Sequence, residues 1–401
     1  MRELVIPTVV VNSRGRARIA SGHPWVYRQD VLSGPEADAR TGGPALVAVV
    51  DERRRPLAHA TWAVQSPVAL RILQRQSERA PSPELMALVA GRFEVALAWR
   101  QRLALDRDAL RLLHGEADGL PGLFVDRYAD AAVMQTTSVA MDAARPALAE
   151  FLKKRLGVRI VVARDDGSAR DFEGLSRVRE VAAGEGATEV VYRLGENRLQ
   201  ADLLTDSKTG GFLDQADNHA VVAALAAPGA RCLDAFTYHG GFALALARRQ
   251  GAVLATDEDA QAVARAKANA TRNHLPNLEV RQANAFELLR TLEADKQHFD
   301  VVVLDPPALA KRQAGDHAAL RAYQEMILRG LRLTKPGGLA VACSCSGRVS
   351  RSQFDELVSA AAAQSGRSLQ ILERRGAGRD HPELAGVPET GHLKCWILRV
   401  L

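Results

Sequence analysis

RCLDAFTYHGGFALALARRQGAVLATD, residues 231–257, decides the fold. A short apolar strand ends in Asp234, a glycine turn follows at Gly240 and Gly241, a helix comes next, and a second apolar strand ends in Asp257. Strand, turn, helix and strand in this order make the unit of a parallel sheet covered on both faces. The same rhythm runs outward to the end of the chain. LEVRQA, FDVVVLD and GLAVACS read as further strands, with helices near 240–250, 258–272, 284–294 and 316–333. Two more strands, LQILERR and HLKCWILRVL, close the chain with no helical pattern between them, so one of the two runs antiparallel. The expectation is a seven-stranded, Rossmann-like sheet over residues 194–401.

Before it the texture differs. LVIPTVVVN, ALVAVVD, LAHATWAV and VALRILQR are brief, β-branched and separated by Gly, Pro and charge, which predicts a small β-barrel over 1–75. Residues 76–193 read as an α+β unit. A helix opens it over PELMALVAGRFEVALAWRQRLAL, with Pro83 just inside its start. Strands follow in LRLLHGEADGLPGLFVDRYADAAVMQTTS, then a helix over about 141–156 and the strand VRIVVAR.

Composition excludes several classes. Hydrophobic residues at 47% and charged residues at 25% suit a soluble protein. No run of apolar residues is long enough for a membrane helix, and the N-terminus lacks the order of a secretory signal, so a cytoplasmic protein with no membrane partner is expected. Four cysteines make no disulfide framework, and Cys343-x-Cys345 lacks the second pair or the histidines that a zinc site needs, so no metal is expected. Cys232 and Cys395 lie in apolar runs and read as small core residues. The net charge is +6, and residues 1–75 hold 11 Lys and Arg against 6 Asp and Glu. That excess points to a polyanion at the N-terminal part. Arg14, Arg16, Arg18 and Arg28, with Trp25, mix cation and aromatic as RNA grips do.

The strand ends carry the chemistry. Asp234 puts an acid where a dinucleotide fold would hold a pyrophosphate, and the G-x-G-x-x-G pattern is absent. An acid there suits a ligand bearing an ammonium and a sulfonium, which favours S-adenosylmethionine. Asp257 suits two ribose hydroxyls and Asn284 an adenine amino group. With Phe236, Tyr238, Gly240 and Gly241 of the glycine turn, these form the candidate cofactor set. The fourth strand ends in Asp305-Pro-Pro, a rigid loop that holds a carboxylate over the cofactor. The fifth ends in VACSCSG (341–347). A thiolate there could add to C6 of a pyrimidine and make C5 nucleophilic. Cys345, nearer the loop, is the candidate nucleophile, and Cys343 the packing residue. Ala308 stands where base-nitrogen methyltransferases carry an aromatic after D/N-P-P.

Several stretches together resemble the bacterial large-subunit ribosomal RNA cytosine-C5 methyltransferases of the methyltransferase I family. They are GHPWVY (22–27), GEADGLPGLFVDRY (115–128), KTGGFLDQADNH (208–219), DAFTYHGGFAL (234–244), LDPPALAK (304–311), SCSG (344–347) and DHPE (380–383), and the resemblance spans essentially the whole chain. It implies an N-terminal PUA domain, a central α+β domain and a C-terminal class I methyltransferase domain, with 23S ribosomal RNA, free or in a large-subunit assembly intermediate, as substrate. It would allow a homodimer. It carries the nucleophile onto Cys345 and cofactor or substrate contacts onto Lys208, Asp214, Gln215 and Asn218. Asp305 is then expected to bond the cytosine edge as well as to face the cofactor. Better-known RNA C5 methyltransferases place a second cysteine after the two prolines. Ala308 departs from that, and the base that removes the C5 proton stays unassigned. Alternatives are an RNA base-nitrogen or transfer-RNA methyltransferase, and a catalytically silent RNA-binding assembly factor.

Overall fold

The structure, a computed structural model, describes residues 6–78, 84–309 and 316–401. Leu4 and Val5 of the first predicted strand, Pro83, and Ala310 and Lys311 of LDPPALAK lie outside the described residues. Contacts divide the chain into two compact units. One comprises the chain up to Val190 with Asp202–Gly210 and Asp380–Thr390; the other comprises Val191–Ala201, Gly211–Arg379 and Gly391–Leu401.

In the first unit, β1 (Thr8–Val11), β2 (Trp25–Tyr27), β3 (Val31–Ser33), β4 (Leu46–Val50), β5 (Pro56–Trp62) and β6 (Val68–Arg75) form a barrel-like sheet in the order β2-β6-β5-β4-β1-β3. Its core is Val9, Val11, Val47, Val49, Ala60 and Leu70 with their neighbours, the inward faces of alternating strands. SRGRARIA is a helix, α1 (Ser13–Ala20), which periodicity does not announce. Asn12 caps it by accepting from the Gly15 N–H at 2.9 Å.

After α2 (Leu85–Arg102) comes a five-stranded sheet. It is built from β7 (Ala109–His114), β8 (Leu123–Tyr128), β9 (Ala131–Thr136), β10 (Ile160–Asp165) and β11 (Val178–Gly184). The helix expected over 141–156 is two, α3 (Val139–Ala143) and α4 (Arg145–Leu156), with Pro146 in the first turn of the second. Proline has no N–H to continue a preceding helix but fits the start of a new one. Leu46 and Leu73 of the barrel share one core with Phe93, Leu113, Val125 and Leu148. A hairpin, β12 (Glu189–Leu194) and β13 (Asn197–Asp202), follows.

After the hairpin, the second unit continues with α5 (Ala216–Leu225). Strands and helices then alternate: β14 (Cys232–Asp234), α6 (Gly241–Ala247), β15 (Val253–Asp257), α7 (Ala260–Arg272), β16 (Leu278–Gln282), α8 (Ala285–Ala294), β17 (Phe299–Leu304), α9 (Asp316–Leu333), β18 (Thr334–Ser344) and α10 (Arg351–Ser365). The last strands are β19 (Leu369–Arg375) and β20 (Lys394–Val400). The sheet order is β16-β15-β14-β17-β18-β20-β19, and β20 runs antiparallel to both neighbours. The order reverses between β14 and β17, which pair in parallel with Asp234 opposite Val303. Beyond the carboxyl ends of these two strands lies the crevice of a doubly wound sheet. Leu233, Val302, Ala340 and Trp396 of the sheet pack with Leu289, Tyr323, Met326 and Phe354 of the helices. That core holds the strand ends in place.

Candidate active site

Asp234 ends β14 and is 1% exposed. One carboxylate oxygen accepts from the Thr237 hydroxyl at 2.8 Å. The other, Oδ1, has no partner at hydrogen-bonding geometry. Burial pushes its pKa up to about 7; Thr237 and the Phe236 and Ala243 N–H groups pull it down, and Asp257 adds to the rise. A buried acceptor with an open valence is costly unless something completes it. A cationic amine suits that place.

The turn after Asp234 is shaped for close approach. Tyr238 has φ 48° and Gly240 φ 94°. This bend lets the Tyr238 N–H donate to Asp257 Oδ2 at 2.9 Å, while Asp259 N–H donates to Oδ1 at 3.0 Å. Burial raises the Asp257 pKa against these two bonds. A Cβ at Gly241 would run into the His219 ring, so only glycine lets α6 start this close to α5. The Tyr238 ring stacks on His239 at 3.7 Å and meets Phe212 edge-on at 4.9 Å. Phe236 lies edge-on to Phe286.

Asn284 has local work. It caps α8, its oxygen accepting from the Phe286 and Glu287 N–H groups at 3.1 and 3.2 Å, and its Nδ2 donates to Glu258 at 3.3 Å. An adenine amino group would have to share an oxygen that already serves two amides.

Asp214, Gln215 and Asn218 gather at the entrance to α5, all buried. Asp214 Oδ2 meets His392 Nε2 at 3.3 Å. Asn218 donates to Gln215 Oε1 at 2.6 Å and to the Gly376 carbonyl at 3.1 Å, and accepts from Arg375 Nε at 2.7 Å. These bonds tie α5 to the end of β19. The Gln215 amide nitrogen, 1% exposed at the residue, has no partner at hydrogen-bonding geometry, though Gln215 bears on the Cys343 thiol and opposes the rise of its pKa. Lys208 belongs to the other compact unit, at φ 53°.

The C-x-C stretch is divided by the end of a strand. β18 stops at Ser344. Cys343 is still in the ladder, paired with Cys395 and fully buried, and burial raises its thiol pKa well above the usual value. Cys345 is one residue past the ladder, so the alternation of faces no longer binds it. All four cysteines lie among the described residues, and Cys345 alone is half-exposed. Asp305 follows β17 and is also half-exposed. The buried Tyr323 hydroxyl of α9 feels both groups: burial raises its pKa first, and Cys345 and Asp305 raise it further. β17 and β18 pair in parallel with Leu304 opposite Ala342, so Asp305 and Cys345 leave neighbouring strands at the same end of the sheet. Neither Tyr323 nor Lys394 was singled out from sequence.

In the barrel, Arg14 is 66% exposed and Arg18 36%; both pair with the buried Asp30, at 3.0 and 3.3 Å. Arg18 lies over the Tyr27 ring at 4.6 Å, and Arg16 is exposed. Trp25 and Arg28 are drawn inward. The Trp25 indole donates to Glu116 at 3.0 Å. Arg28 donates to the Ala63 carbonyl and covers the Trp62 ring at 4.6 Å, and burial lowers its pKa.

Residues 9–75 match the model of a PUA-like domain, and residues 226–376 that of a methyltransferase domain. A Shewanella denitrificans protein named ribosomal RNA large subunit methyltransferase I is 32% identical, over 96% of this chain and 98% of its own. A Deinococcus radiodurans protein named ribosomal RNA large subunit methyltransferase is 35% identical, over 97% of this chain and 96% of its own. Among solved structures, SMU.776, assigned as a methyltransferase and complexed with SAH, superposes with a TM-score of 0.81. It covers 98% of this chain and 100% of that one at 17% identity, a likeness of fold.

Proposed function

We propose, from the premise that this chain belongs to the ribosomal RNA large subunit methyltransferase I family, that it methylates carbon 5 of a cytosine in 23S ribosomal RNA with S-adenosylmethionine as donor. The donor supplies an electrophilic methyl group on a sulfonium sulfur. Asp234, with its open buried oxygen, and Asp257, at the tip of the next strand, are the residues that would hold its ammonium and ribose. Gln215 offers its buried amide.

Cytosine C5 is a poor nucleophile. Addition of the Cys345 thiolate to C6 turns the ring into an enamine whose C5 can be alkylated. A base then takes the C5 proton, the electron pair re-forms the C5–C6 double bond, and the thiolate leaves. Asp305 is suited to accept from the cytosine amino group and to fix the ring over the thiol. The target base must be unstacked for this, as for any chemistry on a base within a helix. In the division of labour we propose, residues 1–75 grip RNA through Arg14, Arg16 and Arg18, and residues 194–401 perform the chemistry. The work belongs in the cytoplasm, on free 23S RNA or an assembly intermediate.

The observation that carries this reading is that Cys345, alone of the four thiols half-exposed, leaves β18 at the same end of the sheet at which Asp305 leaves its parallel neighbour β17. Replacement of Cys345 by Ala tests it, with nuclease digestion and mass spectrometry of the RNA. Loss of 5-methylcytidine by at least a thousandfold is expected. A variant that still methylates, or a wild-type product methylated on nitrogen, would overturn the reading.

A further inference from the structure

We propose that Lys394 is a positioning residue for the nucleophile: a buried ammonium that clamps the loop carrying Cys345 and holds its sulfur as a thiolate. This rests on the assignment of Cys345 as nucleophile.

Lys394 opens β20, pairs with Ser344 at the end of β18 and is 2% exposed. Its Nζ donates to the Ser346 carbonyl at 2.6 Å and to the His392 carbonyl at 2.8 Å. One lysine thus binds the chain at Ser344, through the ladder, and at Ser346, through its side chain. Cys345 is the residue between. An ammonium has three donors, and two carbonyls occupy two of them.

A buried cation is normally matched by an anion, because desolvating it unpaired is expensive. Among the described residues no carboxylate pairs with Lys394. Burial lowers its pKa to about 8, and Arg351 at the start of α10 lowers it further. The one group that raises it is Cys345. Attraction between two titrating groups is mutual, so the interaction that keeps Lys394 charged favours the thiolate equally. The other charged or titratable groups in play are Tyr323, from α9, whose pKa Cys345 raises, and Asp305, from the loop after β17, which acts on the same phenol.

The role predicts a thiol reactive at neutral pH. Titration of the intact protein by thiolate absorbance, as the difference between wild type and Cys345→Ser, should place the Cys345 midpoint below about 8.5, the ordinary value for a free cysteine. Burial pushes Cys232 up to about 12, and Cys343 is raised as well, so these thiols stay silent in the same range. Lys394→Met should slow alkylation of Cys345 by iodoacetamide at pH 7 about tenfold and move its pH profile upward, while Lys394→Arg should keep the wild-type profile. A wild-type midpoint at or above the ordinary value overturns the proposal, even where Lys394→Met fails to fold. So does a folded Lys394→Met protein that alkylates like wild type. Methyl transfer by Cys345→Ser reports on the function separately: activity there would sink the nucleophile and leave the thiol titration standing.

Discussion

At the scale of single residues, the site is built from groups held in costly states. Asp234 is the clearest. Its folded pKa of about 7 lies above the ordinary carboxylate range. Between those two values the native state binds the proton and the unfolded chain does not, so ligand-free stability falls as pH rises from about 4 to about 7. Asp234→Asn has no such proton to lose. Its melting temperature should therefore gain on wild type between pH 5 and pH 8 in calorimetry without ligand, while affinity for S-adenosylmethionine falls at least tenfold by titration. A variant that melts in parallel with wild type across that range would show that the acid is not buried as described. As candidates, Asp234, Asp257 and Cys345 were legible because each stands at the end of an apolar strand, where chemistry collects. Tyr323 was not, since a tyrosine on the apolar face of a helix looks like core, and its hydroxyl gains meaning only from what two other strand ends bring to it. Lys394 did leave a mark: a lysine inside the apolar run HLKCWILRVL must be buried or at an edge.

At the scale of elements, alternation of strand and helix carried the second unit from sequence to structure with its antiparallel finish. Three helices escaped, α1, α5 and α10. SRGRARIA has Ile19 as its sole large apolar residue, so α1 has no period to detect, and the Asn12 cap was the only local signal. α10 is announced by a capping box, Ser350 with Gln353, and by Gly366 at its end, signals that periodicity alone passes over. Caps also decide how Asn284 should be understood. Its side chain satisfies two amides at the start of α8. Asn284→Ala should cost about 1 kcal/mol of stability in urea denaturation. An unchanged midpoint together with weakened donor binding would instead make Asn284 an adenine contact rather than a cap.

At the scale of the whole molecule, the two units do not follow chain order. Asp380–Thr390 leaves the methyltransferase sheet and folds with the first unit. There the Asp380 carboxylate accepts from the Arg111 N–H at 2.9 Å and its carbonyl from Arg100 at 2.9 Å. DHPE counted toward the resemblance, but local sequence says nothing about a partner that lies hundreds of residues away. Charge is likewise a property of the whole. Arg14 and Arg16 reach solvent, whereas Arg28 is committed to Ala63 and Trp62. The double variant Arg14→Ala/Arg16→Ala should weaken RNA binding and reduce the salt dependence of log K by about two. Arg28→Ala should act on stability instead. An unchanged salt slope in the double variant would move the RNA grip elsewhere. The covalent step itself can be caught with 23S RNA in which 5-fluorocytidine replaces cytidine, since fluorine at C5 cannot be removed as a proton. Incubated with wild-type protein and S-adenosylmethionine, that RNA should yield a complex stable on a denaturing gel, with the cross-linked peptide carrying Cys345. Normal methylation of ordinary RNA with no such complex, or a complex through another residue, would contradict a thiolate at position 345 as the nucleophile.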